Sequence, residues 1–211
     1  MNKIFIYIGY ILLLINCLLC LKSFSKNGKA FRIFTYYCIM MLVIQLTAHI
    51  LSVIKIHNLF LSHFYFITQF IMLSFFYRNL LSEKFQKRII TVNLIVCPLL
   101  LIIQYASNWQ CFFQFNTFEI FITSLPLIVY ATFHLYNLLN EKKIYYYTTI
   151  GILLYLFGST VIFLTSNLLV TLHSKWSFIA IFDLNVYLYL VYQLMIMYDL
   201  KSNKSMPNIS Q

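Results

Sequence analysis

The chain reads as long apolar runs broken by short polar interruptions, and the gaps between successive Asp, Glu, Lys and Arg residues measure those runs. Lys3 to Lys22 encloses 18 uncharged residues, Arg32 to Lys55 and Lys55 to Arg78 enclose 22 each, and Glu119 to Glu141 encloses 21. A helix that crosses a membrane takes about 17–25 predominantly apolar residues, so each gap holds one. Arg88 to Glu119 and Lys143 to Lys175 enclose 30 and 31. Each of these holds one helix plus a polar connection, at Ser107-Asn108-Trp109-Gln110 and at Thr171-Leu172-His173-Ser174. The last run, Trp176 to Tyr198, is broken only by Asp183. The pattern predicts an all-α polytopic membrane protein, a single bundle of seven transmembrane helices over residues 1–200 with spans near 4–21, 33–54, 59–81, 89–106, 117–139, 145–167 and 177–199. A short cytoplasmic tail, 201–211, follows.

The basic residues set the orientation, because cytoplasmic loops retain Lys and Arg. With seven spans, twelve of the fifteen fall on one face, in 22–32, 78–88, 142–143 and 201–204, and Lys3, Lys55 and Lys175 fall on the other. The N-terminus is therefore expected outside and the C-terminus in the cytoplasm, with loops 22–32, 82–88 and 140–144 inside. Trp109 and Trp176 fall in outer connections, while Tyr145, Tyr146, Tyr147 and Tyr198 line inner ends as interfacial anchors. The first run is not read as a signal peptide: four positive charges follow it, one precedes it, and no small-x-small cleavage site is present.

Composition narrows the classes further. Of 211 residues 62% are hydrophobic and 9% charged, against roughly 45–50% and about 25% in ordinary globular chains. Five scattered Cys make no secreted disulfide framework. The net charge of +10 punctuates apolar runs instead of clustering on a solvated face, which argues against nucleic-acid binding. The loops are too short to hold a separate soluble domain.

Polar chemistry concentrates in a few places. On the fifth span Glu119, Thr123, Pro126, Tyr130, His134 and Asn137 share an arc of about 80° at 100° per residue. Hydrocarbon cannot satisfy such a face, so it is expected to point into the bundle. It reads either as a cavity wall or proton relay from Glu119 to His134, or as a hydrogen-bonded helix seam. Asp183 lies about 10 Å below Trp176 at 1.5 Å per residue, one turn before Tyr187 on the same face. A carboxylate at that depth needs a cation, donors or water. The sharpest expectation is an outer-half ligand cavity bordered by Asp183, Glu119, Tyr187, Thr123 and His63, with Tyr130 and His134 deeper on the fifth helix. Asn185, Tyr189 and Tyr192 face the other way and read as helix packing.

Four of the five His lie on the outer half. A zinc site built from His49, His63 and His173 is the minority reading, because no paired i, i+4 His motif supports it. Gln45, His49 and Ser52 share a face that suits interhelical hydrogen bonds. Cys17 and Cys20 read as inert small hydrophobes. Gly151, Gly158 and Thr165 recur every seven residues as a close-packing strip. No Gly-x-Ser-x-Gly elbow or phosphate-binding Gly loop occurs, so neither a catalyst nor a cofactor is expected.

The run Asn58-Leu59-Phe60-Leu61-Ser62-His63-Phe64-Tyr65, with Gln69-Phe70 and Phe75-Phe76-Tyr77-Arg78, resembles the third helix of small seven-helix membrane proteins of Bacteroidetes-type bacteria. Leu154-Tyr155-Leu156-Phe157-Gly158-Ser159 and Ser166-Asn167 are similar to that group's sixth helix. Gln69 stands where the group would have a Glu. The resemblance implies a multi-pass protein of a bacterial inner membrane and transfers no activity; its architecture is similar to bacterial membrane sensory modules, by analogy alone.

Three functions follow as expectations. A sensor or receptor-like module would bind a small molecule or lipid in an outward-facing cavity and signal through a cytoplasmic partner. A small-solute transporter is the alternative, weakened by the lack of a Pro-Gln helix signature and of a three-helix repeat. An intramembrane metal-dependent hydrolase comes last, since the final helix carries no paired His.

Overall fold

The computed structural model describes residues 3–140, 142–171 and 175–202. Within them seven α-helices follow one another: α1 (Lys3–Lys22), α2 (Lys29–Val53), α3 (Leu61–Leu80), α4 (Lys84–Ser107), α5 (Thr117–Asn137), α6 (Tyr146–Thr171) and α7 (Lys175–Ser202). Single 3-10 turns, Phe24–Lys26 and Trp109–Phe113, interrupt the first and fourth connections. The protein is all-α among the described residues, and the helices coincide with the charge-free intervals. The largest departure is α4, which begins at Lys84 and takes Lys87 and Arg88 into the helix, so the expected loop 82–88 shrinks to a three-residue connection, 81–83. Long basic side chains extend their charges toward a polar boundary from inside a helix, so a charge does not end one. His173 and most of the 201–211 tail lie outside the described residues.

Among the described residues five helices, α1, α2, α4, α5 and α6, are long and apolar enough to cross a membrane. The other two carry more polar groups. α3 holds His63, Gln69, Ser74, Arg78 and Asn79, and its His63, Gln69 and Ser74 are buried against other helices. The described part of α7 carries Asn185, Gln193, Asp199 and four Tyr.

The helices close a ring in the order α1, α2, α3, α5, α6, α7, with α4 packed outside against α3 and α5. Small residues set the tightest approaches. A Cβ on Gly151 of α6 would lie 3.1 Å from Met195 Cβ and 3.2 Å from the Tyr192 ring on α7. One on Gly158 would lie 2.5 Å from a Leu188 methyl, and one on Gly9 of α1 would lie 3.2 Å from Tyr189. The two glycines of the expected small-residue strip on α6 thus meet α7. Aromatic rings fill the centre: Phe34, Phe76, Tyr37, Tyr77, Tyr130 and Tyr192 are all buried. Outward faces are apolar as well, as at Ile11, Leu14 and Leu18 of α1.

The helix ends are built locally. α2 closes in a Schellman motif: Ile56 N–H donates to the Leu51 carbonyl (2.9 Å) and Lys55 N–H to that of Ser52 (3.2 Å), with Lys55 at φ 58°. Glycine usually holds that left-handed position. The start of α6 is capped from α7, where the buried Asp199 accepts the Thr148 N–H at 2.8 Å. Tyr145, just before α6, is buried against Phe76, and is not the interfacial anchor expected of it; Tyr147 and Tyr198 are exposed and pair edge-on.

Candidate functional site

Two reciprocal amide pairs fasten α4 to α5. Gln104 and Asn116 exchange bonds of 3.2 and 2.9 Å at one end, and Gln86 and Asn137 exchange bonds of 3.2 and 2.9 Å at the other. Asn116 is also the N-cap of α5, accepting the Glu119 N–H at 3.2 Å. This cap places Glu119 in the first helical turn, where the helix dipole favours a carboxylate.

Glu119 lies at the centre of a buried acid–imidazole–phenol cluster. Its Oε2 accepts the Tyr105 hydroxyl at 2.8 Å and is paired directly with His63 Nδ1 from α3. Tyr105 Oη also lies 2.9 Å from Nδ1. The other ring nitrogen, Nε2, is 3.0 Å from the Phe112 carbonyl. A carbonyl only accepts, so Nε2 carries a proton. One further proton must then lie between Nδ1 and Oε2, making the pair either imidazolium–carboxylate or imidazole–carboxylic acid. Both residues are about 1% exposed, and Glu119 Oε1 has no hydrogen-bond partner. The α4–α5 connection covers the cluster: Phe112 stacks on His63 (5.1 Å, 21°) and Trp109 stacks on Phe112 (5.6 Å, 18°).

The polar face of α5 does turn inward, with Glu119, Thr123, Tyr130 and His134 buried. It divides into separate networks. The Thr123 hydroxyl donates to the Glu119 main-chain carbonyl at 2.7 Å, and His134 Nδ1 meets the Thr149 hydroxyl at 2.9 Å. No hydrogen bond among the described residues carries Glu119 on to His134, so the arrangement is a seam between helices and not a continuous relay.

The structure separates the seven residues proposed to share a ligand cavity. His63, Glu119 and Thr123 cluster between α3 and α5, whereas Asp183 and Tyr187 belong to α7, which packs against α6 and α1. The Tyr187 ring is exposed and meets Phe5 of α1 at 5.2 Å. The minority zinc reading fares no better. His49 lies edge-on to Tyr7 and Tyr10 of α1 while His63 is bound to Glu119, and no three His, Cys, Asp or Glu among the described residues gather as a metal site.

Cavities lie on the opposite side of the ring, lined by none of those seven residues. A chamber of 420 Å³ lies between the start of α1 and the end of α2, with Tyr7, Tyr10, His49, Ser52 and Asn58 in its wall. It adjoins a second of 240 Å³ that shares Ile6, Tyr10 and Ala48 and reaches Gln45, Tyr65, Tyr155, Asn185 and Tyr189. Tyr65 and Tyr155 join their hydroxyls at 3.1 Å, and the Tyr189 hydroxyl donates to Gln45 Oε1 at 3.1 Å. Asn185 Oδ1 is buried with no partner. Beneath them the core is shut: Tyr192 donates to the Tyr37 hydroxyl (3.0 Å), Gln69 donates to it as well (3.3 Å), and all three residues are buried.

Tyrosine carried little signal in the sequence, because it fits core, interface and binding wall equally. Gln45, His49 and Ser52 on one face of α2, and Asn185 with Tyr189 on α7, were visible as polar faces but read as packing. Comparison with known protein families, characterised proteins and solved structures finds no match for this chain.

Proposed function

We propose that the chain is a multi-pass protein of a bacterial inner membrane, crossing seven times with its N-terminus outside, and that it works as a receptor-like module. It binds a small molecule or lipid in an outward-facing cavity and signals to a cytoplasmic partner. The observation that carries this reading is the pair of adjoining chambers walled by α1, α2, α3, α6 and α7. Under the orientation set by the basic residues, the lining from α1, α2 and α3 belongs to their outer halves, and Tyr155 of α6 and Tyr189 of α7 bound it near the middle of the bundle. Aromatic walls with a few polar groups are the usual make-up of a small-molecule site.

The closed floor favours a receptor over a carrier. Tyr155 in the cavity wall stacks on Tyr192 (5.3 Å, 8°), whose hydroxyl bonds Tyr37. The next residue, Gln193, accepts the Asn16 amide of α1 at 2.9 Å through both its side chain and its carbonyl. Two turns further Asp199 holds the start of α6, which follows Lys142 and Lys143. A ligand with different affinities for two packings of α6 and α7 would therefore shift the basic cytoplasmic ends.

The test is Ser52→Cys, made with Cys111→Ser so that the four remaining native thiols are buried. A membrane-impermeant maleimide applied to intact cells should label it, and Ala48→Trp should reduce the labelling by filling the passage. Labelling only after the cells are opened would refute the outward-facing cavity.

A further inference from the structure

We infer that the inner chamber takes a small organic ammonium ion, which rests on the cavity reading above and gives its ligand a chemical class. The chamber of 240 Å³ is walled by the rings of Tyr10, Tyr65, Tyr155 and Tyr189, and its lining includes no Lys or Arg. Aromatic faces carry negative quadrupole charge and attract cations, most strongly where water is excluded. The polar atoms of the wall point the same way. Asn185 Oδ1 is a buried acceptor without a donor, and Gln45 Oε1 and the tyrosine oxygens offer further lone pairs. An acceptor left unmade inside a protein costs free energy that a donor-bearing guest recovers.

Asp183 of α7 is three residues from the lining Val186 and is not itself part of the wall. The other carboxylate of the outer half, Glu119, is already committed to His63 and Tyr105. The chamber therefore offers a guest cation its rings and oxygens, and its size suits an amine carrying one aromatic ring or a short branched chain.

The experiment is calorimetric titration of the full-length protein in detergent with phenethylamine, which is charged at neutral pH, and with phenylethanol, its uncharged counterpart of nearly equal shape. The ammonium ion should bind about two- to fivefold more tightly, the scale set by a cation–π contact that keeps part of its water. Asn185→Leu replaces the unpaired acceptor with an apolar group and should still fold, and Tyr10→Leu removes one aromatic wall. Each should erase most of the preference. Equal or tighter binding of phenylethanol would overturn the ammonium assignment, as would binding of neither probe by protein whose Ser52→Cys variant is labelled from outside. Absence of outside labelling would instead refute the cavity reading itself.

Discussion

Deleting the imidazole of His63 should destabilise the protein more than deleting the carboxylate of Glu119. In the intact cluster one proton lies between Nδ1 and Oε2, and Tyr105 bonds the same oxygen at 2.8 Å. His63→Ala leaves a carboxyl group that is 1% exposed with Tyr105 as its sole side-chain donor. For the imidazolium–carboxylate form this strands a buried charge, which costs about 3–5 kcal/mol. Glu119→Ala leaves a gentler defect, because the ring can become neutral and Tyr105 Oη already lies 2.9 Å from Nδ1. That hydroxyl then donates to the bare nitrogen, and the net loss is about 1–2 kcal/mol. Glu119→Gln should cost less still, since its amide offers Nδ1 a proton. The double variant should be more stable than His63→Ala alone, the stranded acid being gone. Unfolding of the purified protein in mixed micelles, followed by helical circular dichroism, gives the order directly. Glu119→Ala costing as much as His63→Ala would refute the assignment of protons and partners.

Other consequences concern the frame. Gly151→Val puts branched carbons against Met195 Cβ at 3.1 Å and the buried Tyr192 ring, so the α6–α7 contact should lose about 1–3 kcal/mol in the same unfolding assay; an unchanged midpoint would show that the two helices do not meet there. Lys55→Gly relieves a left-handed residue at φ 58° and should stabilise by up to about 1 kcal/mol, a loss of stability being the contrary result. At the α4–α5 seam Asn137→Leu alone strands Gln86 and should cost about 1–3 kcal/mol, while Asn137→Leu with Gln86→Leu should recover most of it. Equal losses in the single and double variants would mean the amide pair does not form.

How much of this was legible depends on how local the signal was. Helix positions were, because a charge-free run of about twenty residues is a property of one segment, and even the early start of α4 moved only its polar end. The inward face of α5 was legible for the same reason, through its 3.6-residue spacing. His63 and Glu119 were expected near one another as cavity lining, but their direct pairing was not legible, because it requires α3 to sit beside α5 with α4 displaced outside the ring. Tyr105, which completes the cluster, looked like one more aromatic near a helix end. Asp199 escaped notice: its partner is the backbone of α6, and nothing in the sequence marks a cap supplied by another helix. The cavity was the least legible element, since its wall draws on five helices that are distant in sequence and much of that wall is tyrosine.

The central claim, seven crossings with the cavity mouth outside, is tested most directly by thiol labelling of intact cells at two positions. Cys111 in the α4–α5 connection is the partly exposed native thiol, the other four being buried. Lys26→Cys, made with Cys111→Ser, reports on the α1–α2 connection. A membrane-impermeant maleimide should label Cys111 in intact cells and label the position 26 thiol only once the membrane is opened. Labelling of both positions from the same side would contradict that claim.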